Sequence, residues 1–264
     1  MRHRFLRMIG ILVAGVLVAP AAGADELSPS DLPRAIAMDF RNLITTKENL
    51  VIAVAGAGAV WAGASLDDRI VESRFNSEIH EETILDHVFE PGDYLGGPLL
   101  IAGGCATYGL GIMMGKPQAQ ALGADLIRAQ FVTGSLTFAL KQAVGRERPD
   151  HSNDASFPSG HASEAFATAT VLDRRYGLRV GLPAYLLAGY VAASRLNESQ
   201  HYLSDVLAGA ALGFMVGRTV TRNREGGRLG FYPTVTPHGV GFRLVLRPVA
   251  RAPSPGAAHV VAFS

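Results

Sequence analysis

The residues best suited to chemistry lie in three short clusters between Lys141 and Asp205. In the first, Lys141 and Arg148 are seven apart and Pro149 follows at once. Seven residues make two helical turns, so the spacing predicts both cations on one helix face, with the proline ending the helix. An Arg fork and a Lys point charge at a helix end suit a phosphate-like anion. The second cluster, Pro158-Ser159-Gly160-His161, opens an apolar helical segment. Small residues there let backbone amides approach an anion, Ser159 offers a hydroxyl, and His161 supplies a proton near neutral pH. The third runs Ser194-Arg195, then His201, then Asp205. His201 and Asp205 are four apart and share a face if a helix starts near Gln200, so the carboxylate can orient the ring and make its far nitrogen a base or nucleophile.

Taken singly, each cluster has an ordinary reading. A Lys/Arg pair at this spacing is a solvated face, Ser159 an N-cap, and a His–Asp pair a structural hydrogen bond. Their conjunction in 65 residues changes the weight: three cations, two histidines, an anion-accepting helix start and an orienting carboxylate fall at the ends of successive helical segments. His80, His87 and Glu164 are read as structural, with tuning of His161 as a lesser role for Glu164.

The elements that must position these groups are apolar and too long for strands. Six segments rich in Ala, Leu and Gly run over approximately 48–66, 94–115, 119–144, 160–175, 178–196 and 202–221. In an antiparallel bundle the end of the third, the start of the fourth, the end of the fifth and the start of the sixth face one side, so one site can hold every group. The predicted fold is therefore all-α: a six-helix antiparallel bundle over 48–221. A polar segment, 25–47, precedes it. A short β-hairpin over 229–248 follows, around Pro237-His238-Gly239, and a disordered tail over 249–264. The charged stretch Asp67–Asp93 predicts one or two amphipathic surface helices. Arg2, Arg4 and Arg7, an apolar run and Ala22-Gly23-Ala24 have the layout of a signal peptide over 1–24.

Composition narrows the functional classes. The chain has 264 residues, 48% hydrophobic and 18% charged, a lower charged share than the usual quarter or so. A net charge of +1, with no overall excess of Lys and Arg to neutralise a polyanion, argues against a nucleic-acid binder. The single cysteine, Cys105, excludes an intrachain disulfide and is read as a core residue. Only Tyr94–Gly115, with 22 uncharged residues, clearly has the length to cross a bilayer. Arg174, Arg175 and Arg179, and Arg218, Arg222, Arg224 and Arg228, sit at one end of the bundle and place that end in the cytoplasm. Export with all six helices spanning would put the opposite end there, so the two signals conflict. The expectation is an inner-membrane-associated bundle with its site facing the periplasm, the alternative a soluble periplasmic protein.

Together K-x6-R-P (Lys141 to Pro149), P-S-G-H (Pro158 to His161) and S-R-x5-H-x3-D (Ser194 to Asp205) resemble, without a departure and in the right order, the three signature motifs of the type 2 phosphatidic acid phosphatase and vanadium haloperoxidase superfamily. The resemblance covers roughly residues 48–221. It implies a phosphatase in which Lys141, Arg148 and Arg195 hold the phosphoryl oxygens, assisted by Ser159 and the Gly160 amide. His201 then attacks phosphorus, Asp205 orients it and His161 protonates the leaving group. No metal-ligand cluster appears in the sequence, so the expected enzyme needs no metal or other cofactor, and vanadate binds only as a phosphate mimic. The expected substrate is a lipid phosphate or diphosphate, such as phosphatidate or a polyprenyl diphosphate. A soluble acid phosphatase acting on small phosphomonoesters is the alternative, and a vanadate-dependent haloperoxidase is disfavoured because that branch has much longer chains.

Overall fold

The structure, a computed structural model, describes residues 27–78, 89, 91–92, 94–222, 229–236 and 239–246, with 74–78 and the last two stretches as backbone only. Among them are seven helices: α1 (Leu32–Thr45), α2 (Lys47–Glu78), α3 (Pro98–Met113), α4 (Pro117–Val144), α5 (Gly160–Tyr176), α6 (Leu178–Asn197) and α7 (Leu203–Val220). Two strands, β1 (Leu229–Thr236) and β2 (Gly239–Leu246), pair antiparallel from Leu229 opposite Leu246 to Thr236 opposite Gly239. The signal-peptide segment 1–24, His80, His87, the turn residues Pro237 and His238, and the tail 249–264 lie outside the described residues.

Each of the six predicted segments falls on one of α2 to α7, but the helix count differs. The polar segment 25–47 contains α1, which the sequence reading left without a role in the bundle. Its buried Asp39 accepts two bonds from Arg128 of α4, at 2.7 and 2.8 Å. Arg128 also donates to Asp125 at 3.1 Å, and Asp125 accepts from Arg175 of α5. One run of alternating buried charges thus ties α1, α4 and α5, each charge satisfied by a fork-shaped or bidentate partner. Part of the charged stretch Asp67–Asp93 also departs from expectation. Asp67 to Glu78 continues α2 rather than forming a separate surface helix.

α5 and α7 form the centre. Gly209, Gly213 and Gly217 recur every fourth residue on α7, and a Cβ added at each would come within 2.5 Å of Ser159 O, 2.1 Å of Ser163 O and 2.7 Å of Ala167 O on α5. Only glycine permits so close a backbone approach. α2, α3, α4 and α6 pack around this pair. Ala162, Ala192 and Val206 form a small apolar cluster joining α5, α6 and α7 directly beneath the predicted site. A larger cluster, with Leu122, Val132, Val171 and Val216, fills the middle.

The outer helices present apolar side chains outward. Trp61 on α2, Ile101, Ile112 and Met113 on α3, Phe131 and Phe138 on α4, and Leu182 and Leu186 on α6 are all exposed. Cys105 is exposed on α3 and so is not a core residue. The expectation that Tyr94–Gly115 is the clearest span is also corrected. Gly97, with φ of 59°, and Pro98 delay the helix start, and a turn closes it after Met113, leaving 16 residues. Among the described residues, only α7 is alone long and apolar enough to cross a bilayer. α1 with Lys47–Ala64 qualifies as a pair bent by 66°.

Candidate active site

Lys141 lies in the last turn of α4, which ends because Gly145 adopts a left-handed conformation, φ 58°, and its amide bonds back to Lys141 O at 3.0 Å. Arg148 is therefore not on the helix, and the two-turn reading of the Lys141–Arg148 spacing fails. The chain instead turns at Gly145 and brings Arg148 back over the bundle end. There its guanidinium donates to Gln200 Oε1, and Gln200 donates to Asp150 Oδ2 at 2.6 Å. Lys141 Nζ reaches the carbonyls of Ala155 and Ser156 in the same loop.

Ser159 occupies the N-cap position of α5, yet its side chain makes no capping bond, and its fully buried Oγ has no protein partner. The ordinary N-cap reading does not apply to that hydroxyl. The Ser159 amide instead donates to the carbonyl of Asp205 at 3.0 Å, stitching the start of α5 to the first turn of α7. Gly160 is the first residue of α5 and His161 the second. Gly96 packs against the His161 ring so closely that an added Cβ would lie 2.3 Å from Cδ2. Glu164, half-buried one turn further on, accepts from the Gly97 amide, which makes it a tie to the start of α3.

Arg195, in the last turn of α6, is buried and pairs with Glu198 Oε2 at 2.5 Å. The loop then reverses, Gln200 N bonding Arg195 O at 3.1 Å, and delivers His201. α7 begins at Leu203, later than the expected start near Gln200, so His201 stands just before the helix. The pairing with Asp205 survives: His201 Nδ1 lies 3.8 Å from Asp205 Oδ2, an electrostatic contact rather than a closed hydrogen bond.

Asp205 has no exposed surface and is held from three sides. Its Oδ2 accepts from Ser156 Oγ at 2.5 Å and from the Tyr202 amide at 2.9 Å, and its Oδ1 accepts from Arg146 at 2.8 Å. Arg146 also donates to Ser204 Oγ at 2.7 Å and to Asp67 Oδ2 at 3.0 Å, and its guanidinium sits 3.8 Å over the Tyr202 ring. Asp67 in turn accepts from the Ser204 amide and hydroxyl at 3.0 and 2.5 Å. Arg146, Asp67, Ser156, Ser204, Gln200 and Glu198 were not singled out in the sequence. Arg146 stands two residues before Arg148 and was open to notice, whereas Asp67 lies 79 residues from Arg146 with no spacing to reveal it.

Burial pushes the His201 imidazole below its ordinary range, with Lys141 and Arg148 acting in the same direction and Asp205 opposing. The ring is therefore neutral at physiological pH. The loops after α4 and α6 and the start of α5 thus gather every predicted site residue at one end of the bundle. Arg148 Nε and Ser159 Oγ are buried donors with no protein partner. No cluster of three His, Cys, Asp or Glu side chains suited to a metal ion occurs among the described residues.

Comparison with known proteins places these features in context. Residues 122–226 match the model of the PAP2 superfamily. The chain is 36% identical over 161 residues to a lipid A 1-phosphatase of Porphyromonas gingivalis, a match covering 58% of this chain and 34% of that protein. It is 38% identical over 99 residues to a decaprenylphosphoryl-5-phosphoribose phosphatase of Mycobacterium tuberculosis, covering 34% and 54% respectively. The chain thus spans from about a third to about half of the length of these curated relatives. Two crystal structures share the fold. Aquifex aeolicus LpxE has a TM-score of 0.50 at 23% identity, covering 60% of this chain and 95% of that one. The first transmembrane PAP2 type phosphatidylglycerolphosphate phosphatase from Bacillus subtilis has 0.51 at 21%, covering 73% and 95%.

Proposed function

We propose that this chain, whose residues 122–226 match the PAP2 superfamily model, is a phosphatase removing phosphate from a lipid phosphate or diphosphate through a phosphohistidine on His201. The observation that carries this reading is the convergence of the loops after α4 and α6 and the start of α5 on a buried, neutral His201, with unpartnered donors on Arg148 and Ser159 at the same end of the bundle. Lys141, Arg148 and Arg195 hold the non-bridging oxygens, and Ser159 Oγ and the Gly160 amide complete the cradle. In phosphoryl transfer most of the catalysis is positioning and charge stabilisation of this kind, which three fixed cations supply without a metal.

Asp205 faces Nδ1 and leaves Nε2 as the attacking atom. Its lone pair forms the N–P bond as the ester P–O bond breaks, and His161 gives its proton to the departing oxygen. Water then attacks the phosphohistidine, returns a proton to His161 and releases inorganic phosphate, restoring neutral His201. A lipid substrate is favoured by the outward apolar side chains of α2, α3, α4 and α6, which would hold the bundle against acyl chains, and by the lipid-linked substrates in the relatives' names. The same exposed faces support association with the inner membrane, the site opening to the periplasm.

The test is to assay the purified full chain against lipid monophosphates, lipid diphosphates and soluble phosphomonoesters. Turnover of lipid phosphates at least tenfold above soluble ones is expected. His201→Ala should abolish both turnover and the acid-labile phosphoenzyme. Soluble esters turned over as well as lipids would overturn the lipid assignment, and a fully active His201→Ala would overturn the nucleophile.

A further inference from the structure

At the end of the bundle away from His201, a cavity of about 180 Å³ is lined by Thr46, Glu48 and Asn49 where α1 meets α2, by Arg174 at the end of α5, and by Arg218, Thr219 and Arg222 at the end of α7. α5 has 17 residues and α7 has 18, so at about 1.5 Å per residue this cavity lies roughly 25 Å from the catalytic loops. It is a separate site.

Three features define what it accepts. The lining carries three guanidinium groups against one carboxylate, Glu48, a surplus of positive charge in a concave pocket. Guanidinium groups match phosphate geometry through paired N–H donors. Asn49 is 2% exposed, and its amide nitrogen is committed to Leu43 O at 3.0 Å and Thr219 Oγ1 at 2.8 Å. Its Oδ1 is left buried without a partner, an acceptor that calls for a donor from a ligand. A bare dianion satisfies the arginines but not this oxygen. An anion that also bears a hydroxyl satisfies both.

We infer that this cavity binds a phosphate-bearing anion carrying a hydroxyl donor, either the headgroup of an anionic phospholipid or a free protonated phosphate. Arg174, Arg218 and Arg222 hold the charge, and Asn49 Oδ1 accepts from the hydroxyl. The separation of roughly 25 Å from the catalytic end approaches the ~30 Å thickness of a bilayer's hydrocarbon core, so an occupied cavity lies at headgroup level when the catalytic end meets the opposite leaflet.

The experiment uses the detergent-purified full chain and its Arg218→Gln/Arg222→Gln variant. Neither residue belongs to the catalytic machinery, so unchanged basal activity verifies folding. Arg222→Gln alone, at a side chain already in contact with Thr46 at the surface, serves if the pair fails to fold. In one arm, native mass spectrometry counts retained phosphatidylglycerol against phosphatidylcholine. In the other, calorimetry counts inorganic phosphate bound.

A lipid ligand predicts one phosphatidylglycerol retained by the parent and held about tenfold more weakly by the double variant, with phosphatidylcholine indifferent. A free phosphate ligand predicts that phosphate stoichiometry falls from two to one while lipid retention stays put. Equal behaviour of parent and variant in both arms, or equal loss of phosphatidylcholine, overturns the inference.

Discussion

Arg146 is the residue whose removal best separates positioning from binding. Its three donors go to Ser204, Asp205 and Asp67, none of which touches phosphate in the proposed mechanism. Arg146→Met leaves Asp205 and Asp67, 0% and 4% exposed at the side chain, without their cation. Breaking a fully buried pair costs about 3–5 kcal/mol, and an exposed one less than about 1. Arg146 is 31% exposed, so the stability loss should fall near 2 kcal/mol. Asp205 keeps Ser156 and the Tyr202 amide and stays in place only loosely, while Tyr202, beside His201, loses the guanidinium over its ring. Misplacing a reacting group by an ångström can cost ~100-fold, so kcat should fall 10- to 100-fold with KM within about twofold. Steady-state kinetics on a detergent-dispersed substrate, with the rate of phosphoenzyme formation, reads both. Asp67→Asn should act in the same direction, and the double variant should lose less than the sum of the two singles. A tenfold rise in KM at unchanged kcat would place Arg146 on the phosphate instead. An unchanged kcat in a folded variant would refute the positioning argument.

In the proposed mechanism the nucleophile is neutral His201, whose pKa burial lowers, so the acidic limb of kcat/KM should lie below the ordinary imidazole value of about 6.5; a limb at or above that value contradicts the reading. The sign for stability is the same: below about 6.5 the unfolded chain binds the His201 proton more tightly than the fold does, so stability declines as pH falls through that window and His201→Gln should flatten it in urea titrations. Activity should survive dialysis against EDTA, and a loss restored by Mg²⁺ would contradict metal-free charge stabilisation. Gly213→Ala, whose methyl would meet Ser163 O, should cost roughly 1–3 kcal/mol in denaturant unfolding, whereas Gly103→Ala, with nothing within 4 Å, should be neutral or stabilising. Equal effects at the two glycines would remove the close-packing argument.

The site was legible where function is written in residue type and failed where position depends on backbone turns. Lys141, Arg148, Ser159, His161, Arg195, His201 and Asp205 all reach one end of the bundle, because helix ends alternate sides in an antiparallel packing. The helical geometry assigned to them was less secure. The spacing of Lys141 and Arg148 predicts two turns of helix, but Gly145 ends α4 before Arg148, and a glycine C-cap leaves no periodic signature. The segment that forms α1 looks polar in the sequence because its burial rests on Asp39 meeting Arg128, a long-range ion pair that hydropathy reads as solvated surface. Cys105 reads as a core residue in the sequence because an apolar run looks the same whether its face meets protein or lies outward. Asp67 was invisible for a related reason, since its partner is set by the packing of α2 on α7.

The glycine ladder on α7 also bears on how the chain comes together during synthesis. α5 emerges before α7, with α6 between them, yet the carbonyls of Ser159, Ser163 and Ala167 are covered only when Gly209, Gly213 and Gly217 arrive. Until then a nascent chain carries Lys141, Arg148, Arg195 and His201 but lacks the helix that closes the core. On the proposed mechanism, competence is gained in the last step of core assembly: a ribosome stalled before Leu203 holds a chain with its cations and His201 but without Asp205 to orient the ring or α7 to close the core.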